Sequence, residues 1–115
     1  MKTFKELQAS IVDWADTHHL LCEENAQKQF MKFMEEVIEF KTEMDMRMKF
    51  FEPNLKMWKI DRDVQLEMGD VFVTLIILCE QLNISPQTCL SMAYDKIKDR
   101  KGETINGTFV KEEDL

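Results

Sequence analysis

Nine residues from Val71 to Cys79 are apolar except for Thr74. They sit inside a longer pattern that predicts a helix from near Asp61–Asp63 to about Leu82. A helix that is apolar on nearly every side has to be buried, either in its own domain or against a partner. The run is too short to cross a bilayer. So the chain must bring other elements to cover it, or must self-associate.

The rest of the sequence supplies those elements as helices. There are 3 Gly and 2 Pro in 115 residues, too few breakers for a sheet of many short strands. A hydrophobic share of 44% with 32% charged residues fits a soluble globular domain. The length suits one domain, residues 1–115. The expected fold is all-α, a four-helix core over about 3–102, with a short C-terminal hairpin or arm over 103–115.

Thr3 and Glu6 form a capping-box pattern that starts the first helix. Phe4, Leu7, Ile11, Trp14, Ala15 and His18 then recur on one face, and the helix should end near Thr17 to Leu20. His18 and His19 are the only histidines, and they read as a helix-end pair. Asn25 is the expected N-cap of a second helix, with Phe30, Phe33, Met34, Val37, Phe40 and Met44 as its apolar stripe. Gln29, Lys32, Glu36, Glu39 and Glu43 run along the other side, with Glu35 at the stripe's edge.

Glu36 and Glu39 are about 60° apart and one turn apart, so they can grip one ion together. Taken alone, an acidic strip opposite an apolar stripe is usually a solvated face. Here it also sets like charges one turn apart, at Glu35/Glu39 and Glu39/Glu43.

The apolar third helix changes this reading. Its polar strip holds Asp63, Glu67, Asp70, Thr74 and Gln81, and Glu67 and Asp70 share a face. Carboxylates on a largely buried helix need partners. Bringing them against the acidic strip of the second helix without a cation would be unfavourable. Mg²⁺, or Mn²⁺ in its place, resolves the conflict because hard cations take carboxylate oxygens. Gly69, between Glu67 and Asp70, is unfavourable in a helix interior and points to a close approach there.

Between the two helices Phe50, Phe51, Pro53, Asn54, Met57 and Trp58 make an apolar connector with a turn signal at Pro53-Asn54. Packing on the core or on a partner subunit, and stacking on a base, are both open to it. Ser85-Pro86 should cap a fourth helix that runs to about Lys101 and stops at Gly102. Lys96, Lys98, Arg100 and Lys101 are the densest basic cluster. The C-terminal end of a helix dipole accounts for Arg100 and Lys101, and Lys98, near Asp95, is the better phosphate candidate. Asn106-Gly107 signals a tight turn between Ile105 and Phe109-Val110.

The formal charge of −7 disfavours a nucleic-acid duplex as partner. Cys22, Cys79 and Cys89 lack metal-ligand spacing and suit reduced thiols of a cytoplasmic protein. No signal-peptide pattern opens the chain.

Glu35-Glu36-x-x-Glu39 followed by Glu67-x-x-Asp70 resembles the MazG-like nucleotide pyrophosphohydrolases of the all-α NTP pyrophosphatase superfamily. Residues 93–102, with Asn106-Gly107-x-Phe109-Val110-Lys111, look like its small single-domain phage and bacterial members. The resemblance covers roughly residues 25 to 111. It implies an antiparallel helical core, assembled as a dimer or tetramer. It also implies Mg²⁺-dependent hydrolysis of nucleoside triphosphates to the monophosphate and pyrophosphate.

Carried over residue by residue, Glu36, Glu39, Glu67 and Asp70 would ligate the metal. Glu35 would position or deprotonate water. Lys32 and Lys98, with Arg100 or Lys101, would contact phosphates. Asp95 falls in the same substrate-binding group, at a position where many members carry Asn. An ionised Asp can only accept hydrogen bonds there.

Phosphoribosyl-ATP pyrophosphatase shares the acidic pattern and is the near alternative. A non-catalytic helical oligomerisation module is the distant one. A di-iron bundle is excluded, because neither histidine has a Glu three residues before it.

Overall fold

The computed structural model describes residues 1–49 and 57–115. The expected turn at Pro53-Asn54 and the aromatic connector around Phe50 and Phe51 lie outside the described residues. The remainder is mostly helical, with four α-helices and a two-stranded antiparallel sheet. The residues group into two compact units, Met1–Ile84 and Ser85–Leu115.

In the first unit, α1 spans Phe4–Thr17, and the Thr3–Glu6 capping box forms as its spacing predicts. Two bonds close its C-terminal end, from the His19 N–H to Asp16 O and from the Leu20 N–H to Ala15 O. This is a Schellman end, with His19 at φ 57° in the left-handed position usually given to glycine. Asn25, expected to cap the second helix, instead ends a 3₁₀ turn, Glu23–Asn25, that leads into α2, Ala26–Lys49. The third helix, α3, spans Met57–Gln81.

That start is a turn earlier than the sequence predicts. Asp61 reads as a helix-start residue, but its side chain is used elsewhere, 3.0 Å from Nε of Arg47 on α2. No glycine or proline interrupts the chain between Met57 and Met68, so the helix continues toward its N-terminus. Asn83, at φ 55°, ends α3 as His19 ends α1, with the Ile84 N–H donating to Cys79 O.

The core lies where α3 meets α2 and α1. Ala15, Val64, Ile76, Ile77 and Cys79 are its buried apolar members. Gln81 ties the layers together, donating from Nε2 to Leu20 O at 2.7 Å, and Gln29 Nε2 donates to Thr74 O at 3.1 Å. The all-round burial expected of α3 is not met within the described chain, since Phe72 is 46% and Leu66 54% exposed. One flanking helix on each of two sides cannot cover a cylinder that is apolar on every side.

In the second unit, α4 spans Pro86–Ile97, with Ser85 Oγ accepting from the Thr88 N–H. It stops well before Lys101, and Gly102 is not its terminator. Gly102 opens β1, Gly102–Ile105, which pairs antiparallel with β2, Thr108–Lys111. A Cβ at Gly102 would run into Val110 O and the Phe109 ring. The glycine therefore permits a strand contact. Asn106 and Gly107, both at positive φ, make the two-residue turn that the Asn-Gly signal predicts. Among the described residues no single helix is long and apolar enough to cross a membrane.

Candidate metal centre

The acidic strip of α2 is not simply opposite an apolar face. The α2–α3 contact falls on the border between the two stripes, so Glu36 is the buried residue of α2, at 7% exposure. Phe33, Val37 and Phe40 are half-buried, while Phe30 and Met34 stay exposed. One helical edge thus carries both packing and charge into the interface.

Glu36 meets two residues of α3 there. One carboxylate oxygen each from Glu36, Glu67 and Asp70 lies within 4.8 Å of the others. Glu67 and Asp70 come from one face of α3 by their i,i+3 spacing. Glu36 reaches across from α2.

The electrostatics of this cluster are unbalanced. Lys32 Nζ lies 3.1 Å from Glu36 Oε1 and 3.5 Å from Glu35 Oε2. No other cation forms an ion pair with the group among the described residues. Glu36 Oε2 and Glu67 Oε2 are buried without a hydrogen-bond partner.

Burial pushes the Glu67 carboxyl above its ordinary value, and the charges of Glu39, Asp70, Glu36 and Glu43 push it further. The Glu39 carboxyl is also raised, chiefly by the charge of Glu36. Conversely, Glu36 raises the Lys32 ammonium.

These residues fit a hard divalent cation. The donors are all carboxylate oxygens, the choice of Mg²⁺ and Mn²⁺. Two of the oxygens are buried and unpartnered, which is costly for an anion unless a cation takes them. An octahedral ion with ligands at about 2.1 Å holds them no more than about 4.2 Å apart, so a small contraction of the trio suffices.

The other sequence-predicted residues are placed differently. Glu39 is exposed and outside the trio, although its charge reaches both Glu36 and Glu67. Glu35 is exposed and turned to Lys32. In the second unit, Lys98 pairs with Asp95 at 3.3 Å. Arg100 and Lys101 lie beyond the end of α4 and not in its last turn. With Asp99, Lys111, Glu112 and Glu113 they line a cavity of about 570 Å³.

Lys111 enters that cavity because the hairpin register sets it opposite Gly102. The Asn106-Gly107 turn was the signal for that placement. His18 Nδ1 donates to Trp14 O at 2.8 Å, and its ring lies tilted against the Trp14 indole with centroids 4.4 Å apart.

Comparisons with protein families, with curated proteins and with solved structures find no match to this chain.

Proposed function

We propose that this chain is a Mg²⁺-dependent nucleoside triphosphate pyrophosphohydrolase of the MazG-like type, with the antiparallel helical core of that superfamily. The observation that carries the reading is the convergence of Glu36, Glu67 and Asp70 with two buried, unpartnered oxygens. A structural acidic surface has no reason to bury carboxylates in this way. A site for a cation does, and a triphosphate cannot approach such a cluster until cations neutralise it.

In this reading Glu36, Glu67 and Asp70 hold Mg²⁺, with Glu39 as the adjoining ligand. A Mg²⁺ ion held there would supply a more acidic coordinated water and positive charge to offset the phosphates. Glu35, exposed beside Lys32, is the residue assigned to position or deprotonate the attacking water. Lys32 holds Glu36 in place and offers its ammonium to a phosphate oxygen. Asp95, Lys98, Arg100 and Lys101 are assigned to substrate by the resemblance alone.

The test is a panel of ribo- and deoxynucleoside triphosphates, canonical and modified, and phosphoribosyl-ATP, each incubated with Mg²⁺ and resolved by anion exchange. Monophosphate plus pyrophosphate from a nucleoside triphosphate supports the proposal. Turnover of phosphoribosyl-ATP alone would move the chain to the neighbouring activity. No turnover of any substrate would leave the helical oligomerisation module as the better reading.

A further inference from the structure

Asp70 serves two surfaces of α3. It belongs to the acidic trio with Glu36 and Glu67. It also lines an open groove of about 380 Å³ together with Arg62, Gln65, Leu66, Gly69 and Val73. At about 100° per residue those other five fall within about 100° of the helix circumference, and Asp70 lies about 40° beyond Leu66. Glu67 follows about 60° further round. The groove and the carboxylate site are therefore neighbours on one helix and share a side chain.

The groove is apolar along its length and polar at one end. Leu66 is 54% exposed and Val73 half-buried. A Cβ at Gly69, between them, would meet nothing within 4 Å among the described residues. Packing there does not call for glycine, which is unfavourable in a helix interior. The missing side chain leaves a strip where a planar ring can lie close to the backbone. Arg62 and Gln65 stand at the far end, both exposed. Arg62 forms no ion pair among the described residues. A guanidinium carries donors only, so it calls for acceptors on whatever it meets. The volume lies at the small end of the range for small-molecule sites, about 300–1,000 Å³.

We infer that this groove receives the nucleoside of the substrate and that Arg62 selects guanine over adenine. The inference rests on the metal reading at one end, since a phosphate at the cation beside Asp70 fixes where the nucleoside starts. Arg62 lies eight residues back, about 12 Å along the axis. Sugar and base run between these ends over Gly69, with Leu66 and Val73 covering the apolar faces. Guanine presents two adjacent acceptors, O6 and N7, which match two N–H groups of one guanidinium. Adenine sets an amine in place of O6. The Gln65 amide carries both a donor and an acceptor and can meet either kind of group on the same edge.

Calorimetric titration of the full chain with GMP and with AMP, in Mg²⁺, tests this. Wild type should bind GMP about tenfold more tightly than AMP. Arg62→Met, at an exposed position, should remove that preference by weakening GMP and not AMP. Gly69→Leu fills the groove and favours the helix. It should melt no lower than wild type and still bind Mn²⁺, yet lose both nucleotides. Equal affinity for GMP and AMP in wild type would overturn the assignment of Arg62. GMP binding that survives Gly69→Leu would overturn the groove, as would a wild type that binds Mn²⁺ but neither nucleotide. GMP binding that Gly69→Leu abolishes, in a protein that binds no Mn²⁺, would uphold the groove and overturn the metal centre, so the two failures are distinct.

Discussion

Replacing Glu67 by Gln should stabilise the metal-free protein at neutral pH and take away most of its response to Mg²⁺. In the folded chain the Glu67 carboxyl is raised, by burial first and by Glu39, Asp70, Glu36 and Glu43 after it. A raised acid holds its proton more tightly folded than unfolded. Its contribution to stability is therefore fully present below the unfolded value, 4.5, and is lost as pH rises through the folded one. Above the folded value wild type carries the penalty and the amide carries none. The advantage of Glu67→Gln should shrink as pH falls toward 4.5.

With metal the order reverses. A ligand at a hundredfold its Kd stabilises the native state by about 2.7 kcal/mol. Unfolding entropy of about 2.1 cal/mol/K per residue, over 115 residues, converts this to a Tm rise of about 11 °C. Removing one oxygen donor from a three-residue site, at a hundredfold loss of affinity, leaves about 0.4 kcal/mol, or about 2 °C. Melting followed by circular dichroism from pH 4 to 8, with EDTA and with Mg²⁺, measures both effects. The reasoning is refuted if Glu67→Gln melts below wild type in EDTA at pH 7. It is equally refuted if the wild-type Tm ignores Mg²⁺.

Three further outcomes follow from particular contacts. Gln81→Ala strips the donor from Leu20 O but also sheds the unpartnered Gln81 Oε1. It should cost about 1–2 kcal/mol in urea unfolding, and an unchanged midpoint would contradict the linking role of Gln81. Gly102→Ala drives a methyl group into the Val110 carbonyl. It should abolish amide-exchange protection in β2 while leaving α1 to α3 untouched, and retained protection would show the contact to be dispensable. Lys32→Ala removes the ammonium beside buried Glu36. It should lower metal-free stability at pH 7 by more than it does with saturating Mg²⁺, and equal losses in the two conditions would disprove the compensation.

Features set by chemistry within a few residues were legible in the sequence. The Thr3–Glu6 box, the Ser85-Pro86 start and the Asn106-Gly107 turn each depend on neighbours only, and each formed. The ends set by distant residues were not legible. Helix α4 stops at Ile97 because residues 102–105 pair with 108–111, and the need for Gly102 arises from Phe109 and Val110. Helix α3 begins at Met57, before Asp61, whose carboxylate pairs with Arg47 of α2.

The candidate site divides in the same way. Glu67 and Asp70 are neighbours by helical spacing, so their pairing was readable. Periodicity sorted α2 into stripes but could not say from which side α3 approaches. That approach falls on the stripe border, so it buries Glu36 and leaves Glu39 outside the trio. Leu66, on the same helix, stays 54% exposed.

The central claim is that carboxylates from two helices share one cation. Electron paramagnetic resonance titration of Mn²⁺ measures this directly, because the free ion's sharp signal is lost on binding. The account predicts saturable binding to wild type that both Glu36→Gln on α2 and Asp70→Asn on α3 weaken strongly. Binding that survives either change undiminished, or no saturable binding at all, would contradict it.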